Sequence, residues 1–411
     1  MLVENTDMIY AGSDPMARAW RGDEAIVWEP SNRQNYTSYF TMTVVSETLE
    51  LSGQLNPAEA YEYSVNGGAW DRTSNWTLDS DNCPHHTFQQ GDVIRWRGSS
   101  ARRFHLYYDR GLTTANRVSV SGNIMSLVCG DNFSGVTSDT AGTICFENLF
   151  NYSFDHEAVR VVDASNLVLP LRYLPSNFQY LHGVYSNMFA GQEWMEHGPK
   201  MIELLEIPHM GCYNMFYGCS SLLDAPVIIA TSLEERHTAS GITGDADSHC
   251  KSMFKDCYNL ITPPPVLKPK VAWMSSYEEM FRGCSSMTSI PEIRTRTINN
   301  MSMKNMFAGC ESVSTAVIPV TEVNGNPYSA NYRGAMEGLF DGFSALTSFT
   351  LYVTDEVFES NNSGEFARFL VPEYGVSTQG VFHVPAGVTW PSTYQYLPSG
   401  WTLEEDAPPL G

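Results

Sequence analysis

Apolar residues recur in one local arrangement across the second half of the chain. Each copy has an apolar residue and a phenylalanine, then two residues, then a cysteine in the clearest copies, and three residues later another apolar side chain. The clearest copies begin at Met215, Met253, Met280 and Met306, and degenerate copies begin at Leu149, Met188 and Leu339. The phenylalanines of the copies are Phe150, Phe189, Phe216, Phe254, Phe281, Phe307 and Phe340. Three of the intervals between them are short and nearly equal, and three are longer. This spacing predicts a stacked repeat of roughly 26–27 residues with insertions in three copies.

One unit predicts a short helix followed by a strand. In residues 275–283 two glutamates precede Met280 and Phe281, and a glycine closes the segment. A short helix would bury this apolar pair and end at the glycine. Cys284 would then fill a tight apolar position, and residues 287–293 would form a strand interrupted or ended by proline. Such a unit cannot bury its own apolar face, so three or more copies must stack.

The M-F-x-G-C-x-S-L pattern resembles the surface-adhesin type of leucine-rich repeat found in proteins of gut anaerobes and their crAss-like phages. The resemblance covers roughly residues 140–350 and implies a leucine-rich-repeat-like solenoid over residues 139–350. The tail over residues 380–405 resembles the closing segment of such proteins, in which a final strand pair and a tryptophan seal the open end. Residues 351–411 are therefore expected to form a C-terminal cap.

The preceding region, residues 35–138, has a different pattern. Residues 39–45, 61–65 and 93–97 alternate between apolar and polar side chains, and turn-forming residues separate them. These features predict short strands in a small β-sandwich. The run from Tyr63 to Trp70 also resembles the domain that precedes these repeats in the same protein group. The expected fold is mainly β with short helices, an N-terminal β-sandwich followed by the solenoid.

The N-terminal segment, residues 1–34, predicts two short apolar strands, over residues 9–12 and 19–28, with a Gly-Asp turn. It resembles the N-terminal hairpin of phage tail, baseplate and fibre proteins, which implies an anchor to other virion proteins. A hairpin that merely extends the sandwich is the alternative. The start has no basic segment followed by an apolar run, so no signal peptide is expected. The expected anchoring residues are Ile9, Tyr10, Trp20, Ile26 and Trp28.

The charge of the chain is strongly negative. It has 24 Lys and Arg residues against 46 Asp and Glu, a formal net charge of −22. Such a surface disfavours nucleic acid and anionic lipid, and no apolar run is long enough to insert into a membrane. Nine cysteines, most of them in the repeated apolar position, indicate buried reduced thiols. No metal or cofactor is expected, and Cys83, His85 and His86 are interpreted as a polar loop.

No sequence motif for catalysis is found, so we expect a protein that is not an enzyme. A phosphate-binding loop, an H-E-x-x-H motif and a G-x-S-x-G motif are all missing from the sequence. A carboxylate pair for glycoside cleavage stays an open alternative. Exposed aromatic residues would carry receptor or glycan binding, and we assign Trp194 and the loop over residues 232–249 to inserted loops. Trp273 and Tyr328 are further candidates, and packing beneath loops is the alternative for all of them.

Two roles fit these expectations. The first is a phage virion structural protein, a head or tail fibre or decoration protein that attaches through residues 1–34. Its repeats would face the host surface and bind a glycan or protein through many weak contacts. We expect it to be a dimer or trimer. The second is a bacterial cell-surface leucine-rich-repeat adhesin.

Overall fold

The computed structural model describes eleven segments of the chain and, between residues 10 and 27, paired strands of backbone. The segments are residues 36–52, 61–78, 84–99, 116–139, 144–152, 159–174, 183–235, 247–323, 335–352, 375–387 and 399–407. The first thirteen strands are β1 Tyr10–Ala11, β2 Asp14–Pro15, β3 Arg18–Arg21, β4 Glu24–Val27, β5 Phe40–Val44, β6 Thr48–Ser52, β7 Glu62–Val65, β8 Asp71–Arg72, β9 Thr77–Leu78, β10 Pro84–Gln89, β11 Val93–Arg97, β12 Arg117–Asn123 and β13 Arg160–Val168. The one α-helix among the described residues, α1, covers Ser126–Cys129.

A short hairpin lies near the N-terminus, where the sequence predicted two strands and a Gly-Asp turn. Strands β3 and β4 pair antiparallel with Arg21 opposite Glu24. The Gly-Asp pair of the predicted turn lies outside the described residues. Strands β1 and β2 form a separate pair of two residues each. Of the expected anchoring residues, Ile9 and Trp28 lie outside the described residues. Only the backbone is described for Tyr10, Trp20 and Ile26.

Two sheets form the predicted β-sandwich. The larger has the order β13-β12-β5-β11-β7-β8, and the smaller has the order β6-β10-β9. In β5 and β11 alternate side chains are buried, because successive residues of a strand face opposite sides of its sheet. Tyr63 of the larger sheet meets Phe88 of the smaller one with ring centroids 5.8 Å apart. Trp96 is fully buried between them.

Strand β13 joins the sandwich to the repeats. It pairs in parallel with β12, and its Asp163 also bridges to His197 of the next coil. The sheet of the sandwich is thus continuous with the first repeat, although β13 comes after the domain boundary predicted near residue 138.

The repeats place short strands in two parallel rows. Met201 pairs with Val227 in one row and Val271 pairs with Thr297 in the other, so the step from coil to coil equals the repeat length predicted from the sequence. The remaining strands are β14 Met201–Ile202, β15 Glu206–Ile207, β16 Val227–Ile228, β17 Ser232–Leu233, β18 Val266–Leu267, β19 Val271–Ala272, β20 Glu292–Ile293, β21 Thr297–Ile298, β22 Thr315–Ile318, β23 Glu322–Val323, β24 Ser348–Leu351, β25 Gly380–Pro385 and β26 Trp401–Ala407. Among the described residues, no helix is long and apolar enough to cross a bilayer.

The third side of each coil is a chain of turns, so the short helix predicted over residues 275–283 is wrong. Ser275, Glu279 and Gly283 have φ values of +55°, +56° and +80°, which a right-handed helix excludes. Alternate N–H groups donate to the carbonyl three residues earlier in the same coil. The intervening N–H groups donate to the next coil, Tyr277 to Ser302, Glu279 to Lys304 and Phe281 to Met306, each at 2.8 Å.

Phenylalanines form a ladder inside this turn side. The rings of Phe216 and Phe254 are 5.3 Å apart and within 2° of parallel, and those of Phe254 and Phe281 are 5.4 Å apart.

The repeated cysteines are buried beside the phenylalanine ladder. Cys284 is fully buried, and its Sγ donates to the carbonyl oxygen of Phe254 in the preceding coil at 3.1 Å. The described cysteines are unpaired by disulfides, and burial raises the pKa of the Cys284 thiol.

The last two strands continue the sheet that β22 and β24 form. Strands β25 and β26 pair in parallel. Trp401 lies against Gly380, where an added Cβ would be 2.6 Å from the indole ring. The indole N–H of Trp401 donates to the carbonyl of Ser377 at 2.9 Å.

Replacing one rung of the ladder should destabilise the repeats. Phe281→Ala removes a fully buried ring that stacks on both neighbours, and it should lower the free energy of unfolding by about 3–5 kcal/mol. Arg282→Ala is the matched control, because its exposed side chain should contribute less than about 1 kcal/mol. Urea unfolding followed by circular dichroism measures both. Equal stability of the Phe281→Ala protein and the parent would show that the register is wrong.

A buried histidine lies inside the stack and makes stability depend on pH. His249 is fully buried, and its Nε2–H donates to the Glu234 carbonyl at 2.9 Å, while Nδ1 accepts from the Ser276 hydroxyl at 3.0 Å. Burial lowers the pKa of His249 to about 3, so the ring is neutral near pH 7. The unfolded chain, with an ordinary histidine pKa of about 6.5, binds the proton first as pH falls. The contribution of His249 to stability is thus full above about pH 6.5 and declines as the pH falls toward the folded-state pKa.

Between pH 7 and pH 5 this histidine should remove about 2 kcal/mol from the free energy of unfolding. His249→Gln, which keeps a donor and an acceptor, should lack that part of the pH dependence. His197→Gln, at an exposed site, should keep it. Urea unfolding at the two pH values tests this, and the same pH dependence in parent and His249→Gln would refute the assignment.

Candidate binding surface

An arginine packs over two aromatic rings that contact each other at the start of the repeats. The Arg160 Cζ is 4.2 Å from the centre of the Trp194 ring and 5.5 Å from that of Tyr152. The two rings meet edge to face, with centroids 5.3 Å apart and an angle of 89°. An Arg160 Nη2–H donates to the Tyr152 hydroxyl at 3.0 Å. We call these three residues the aromatic-arginine cluster.

Backbone contacts hold the three residues together from separate segments. Tyr152 follows the first turn side, and its N–H donates to the Ala190 carbonyl at 2.7 Å. Arg160 opens β13, where its N–H donates to the Asn116 carbonyl at 3.0 Å. Trp194 follows the turn side of the next coil. The interval from Phe189 to Phe216 has no insertion, so the expectation that Trp194 belongs to an inserted loop is wrong.

A buried glutamine fixes this part of the chain. The Gln192 side chain is fully buried, and its amide donates to the carbonyls of Phe150 at 2.6 Å and Val159 at 2.8 Å. Its oxygen accepts from the Val161 N–H at 2.7 Å. Loss of these bonds would leave several buried polar groups unpaired, which is costly. Gln192 therefore positions the segments on both sides of the cluster.

The cluster combines two kinds of recognition chemistry. All three side chains are half-buried, which leaves part of each accessible. A guanidinium over an indole ring is stabilised by about 0.5–2 kcal/mol, so the ring and the arginine hold each other in place. The aromatic rings offer apolar faces and the guanidinium offers planar hydrogen-bond donors. This combination suits a ligand with an apolar ring face and polar groups around its edge.

The other aromatic candidates are in different surroundings. Trp273 packs against the core, and its indole N–H donates to the Leu233 carbonyl at 3.1 Å. This hydrogen bond joins the residue that follows β19 to β17 in the second strand row. Tyr328 lies outside the described residues, as do residues 236–246 of the loop assigned to binding.

A cavity of about 260 Å³ lies beside the second strand row. Arg172 lines it but is bound to the buried carboxylate of Glu203 at 2.9 Å. Glu203 also accepts a hydrogen bond from the Tyr36 hydroxyl, which ties the sandwich to the repeats. With Glu206 and Glu234 also in the lining, the cavity suits a neutral or cationic group better than an anion.

The interpretation of His85 and His86 as part of a polar loop is wrong, because both histidines lie in strand β10 and pair with β6. His86 stacks on Trp76 with ring centroids 5.8 Å apart, and burial lowers the pKa of His86. His85 lies 3.4 Å from the Thr77 hydroxyl. Cys83 lies outside the described residues.

Comparison with known proteins gives a distant likeness. A leucine-rich repeat protein from Bacteroides ovatus is 14% identical, with the alignment covering 75% of this chain and 95% of that one, at a TM-score of 0.19. At that score the likeness carries no argument. No protein-family model and no curated protein matches the chain. From its own geometry, the chain is a mainly β repeat protein.

Sequence reasoning found Trp194 but missed the residues that surround it. Arg160 is outside the repeated motif, whereas Gln192 occupies, in the degenerate copy that begins at Met188, the position that cysteine takes in the clearest copies. Gln192 binds residues 33 and 42 positions away, and Arg160 meets Trp194 only after the coils have stacked. A glutamine in place of the repeated cysteine at position 192 was the one local signal.

Proposed function

We propose that this chain is a non-enzymatic adhesion protein that binds a glycan through its aromatic-arginine cluster. The observation that carries the proposal is the half-buried Trp194 ring held against the Arg160 guanidinium at 4.2 Å. A sugar ring offers an apolar C–H face to an aromatic side chain and hydroxyl groups to a guanidinium. The cluster provides both partners at one place.

Preorganisation supports this use of the cluster. Arg160 is held by Tyr152 at 3.0 Å, and Gln192 fixes the backbone on both sides. Side chains that are already ordered lose less conformational entropy when a ligand binds. A single half-buried cluster still gives weak affinity. Many copies of the chain on one particle would raise the avidity without a new contact.

We further propose that residues 1–34 attach the chain to a phage virion as a head or tail fibre or decoration protein. The β3–β4 hairpin supports this proposal, because a short hairpin ahead of a sandwich suits an anchoring segment. A dimer or trimer is the assembly we propose. A bacterial cell-surface adhesin would use the same binding surface, and the location of the protein separates these two roles.

The glycan proposal is tested by binding of the full-length chain to a printed array of bacterial surface polysaccharides. Trp194→Ala and Arg160→Ala should each weaken binding at least about tenfold, because each removes one partner of the cluster. Tyr258→Ala is the matched control, since it removes an aromatic ring that is 51% exposed on another coil. Its binding should equal that of the parent.

Two results would contradict the proposal. One is the lack of any saturable binding by the parent chain. The other is equal loss of binding in Trp194→Ala and Tyr258→Ala, which would mean that no particular aromatic residue recognises the glycan. Circular dichroism of each variant separates these results from simple unfolding.

A further inference from the structure

The closing strands bring three metal-ligating side chains to one place. In the parallel pairing of β25 with β26, His383 lies opposite Glu404. Asp406 is two residues further along β26. The ligand atoms of these three residues all lie within 4.8 Å of one another.

A local irregularity completes this arrangement. The register slips by one residue between His383 and Pro385, where Pro385 lies opposite Ala407. Bulges of this kind re-aim side chains. Asp406 reaches back to His383, with its Oδ1 2.7 Å from the imidazole Nδ1. The histidine is the more buried partner, at 23% side-chain exposure against 56% for the aspartate.

We propose that His383, Glu404 and Asp406 form a divalent-cation site, with zinc as its best fit. Zinc accepts imidazole nitrogen and carboxylate oxygen at about 2.0–2.2 Å, and three protein ligands with one water are a common arrangement. In a tetrahedral site with these bond lengths two ligand atoms lie about 3.4 Å apart, so side-chain rotations would bring the three ligand atoms, now within 4.8 Å of one another, closer together. Calcium suits the site less well, since it takes six to eight oxygen ligands.

The charges around the site favour a cation. Glu404, Glu405 and Asp406 are consecutive carboxylates, and His383 is the one basic group that an ion pair places beside them in the described residues. A bound divalent ion would replace the single His383–Asp406 contact by three bonds that span both strands. It would fasten β26 to β25 at the closing end of the stack, where a repeat array needs a secure cap.

The test uses the full chain without a histidine tag, freed of metal by a chelator and titrated with zinc chloride in a calorimeter. The parent should bind one zinc ion per chain at this site. Asp406→Asn and His383→Gln should each weaken that binding at least about tenfold. Glu405→Gln is the matched control, because it removes the same charge from the neighbouring residue and should leave zinc binding unchanged.

A second readout tests the fastening role. Zinc should raise the melting temperature of the parent and of Glu405→Gln in a concentration-dependent way, and should raise it far less in Asp406→Asn. Circular dichroism of the metal-free variants establishes that they are folded. Zinc binding that survives both His383→Gln and Asp406→Asn would overturn the site. Binding without any change in the melting temperature would overturn its role as a fastener.

Discussion

The turn side of each coil satisfies half of its backbone hydrogen bonds only through the next coil. The N–H groups of Tyr277, Glu279 and Phe281 donate to carbonyls of the following unit. A unit on its own would leave these donors unpaired beside a buried ladder of rings, which costs about 1–3 kcal/mol for each buried group. The repeats therefore fold together, because each coil supplies hydrogen-bond acceptors to the coil before it.

The same constraint explains backbone conformations that are otherwise unfavourable. Met210, Glu279 and Met301 have φ values of +51°, +56° and +51°. For residues other than glycine, such a conformation costs roughly 1–2 kcal/mol. The hydrogen bonds to the next coil and the stacked phenylalanines stabilise it. Candidate binding chemistry lies where this regularity ends, at the aromatic-arginine cluster beside the sandwich and at the closing strands.

The sequence predicted the periodic features and missed the features that depend on register. The ladder and the buried thiols such as Cys284 follow from spacing and residue type, whereas a closing strand pair with a tryptophan was expected only from the resemblance. The turn side was predicted as a helix, because an apolar pair followed by glycine fits either structure. The difference lies in hydrogen bonds to residues of the next coil, which a local pattern does not encode. His383 and Asp406 meet only through strand pairing and a bulge, so their proximity has no sequence signal.

The central functional claim is that this chain displays its repeats on a phage particle. Immunogold electron microscopy of gradient-purified particles from the source, with antibody against residues 36–411, tests this claim most directly. The account predicts gold on DNA-filled particles, at the capsid or at the tail. Gold confined to bacterial envelopes would contradict the virion role and assign the repeats to a cell-surface adhesin.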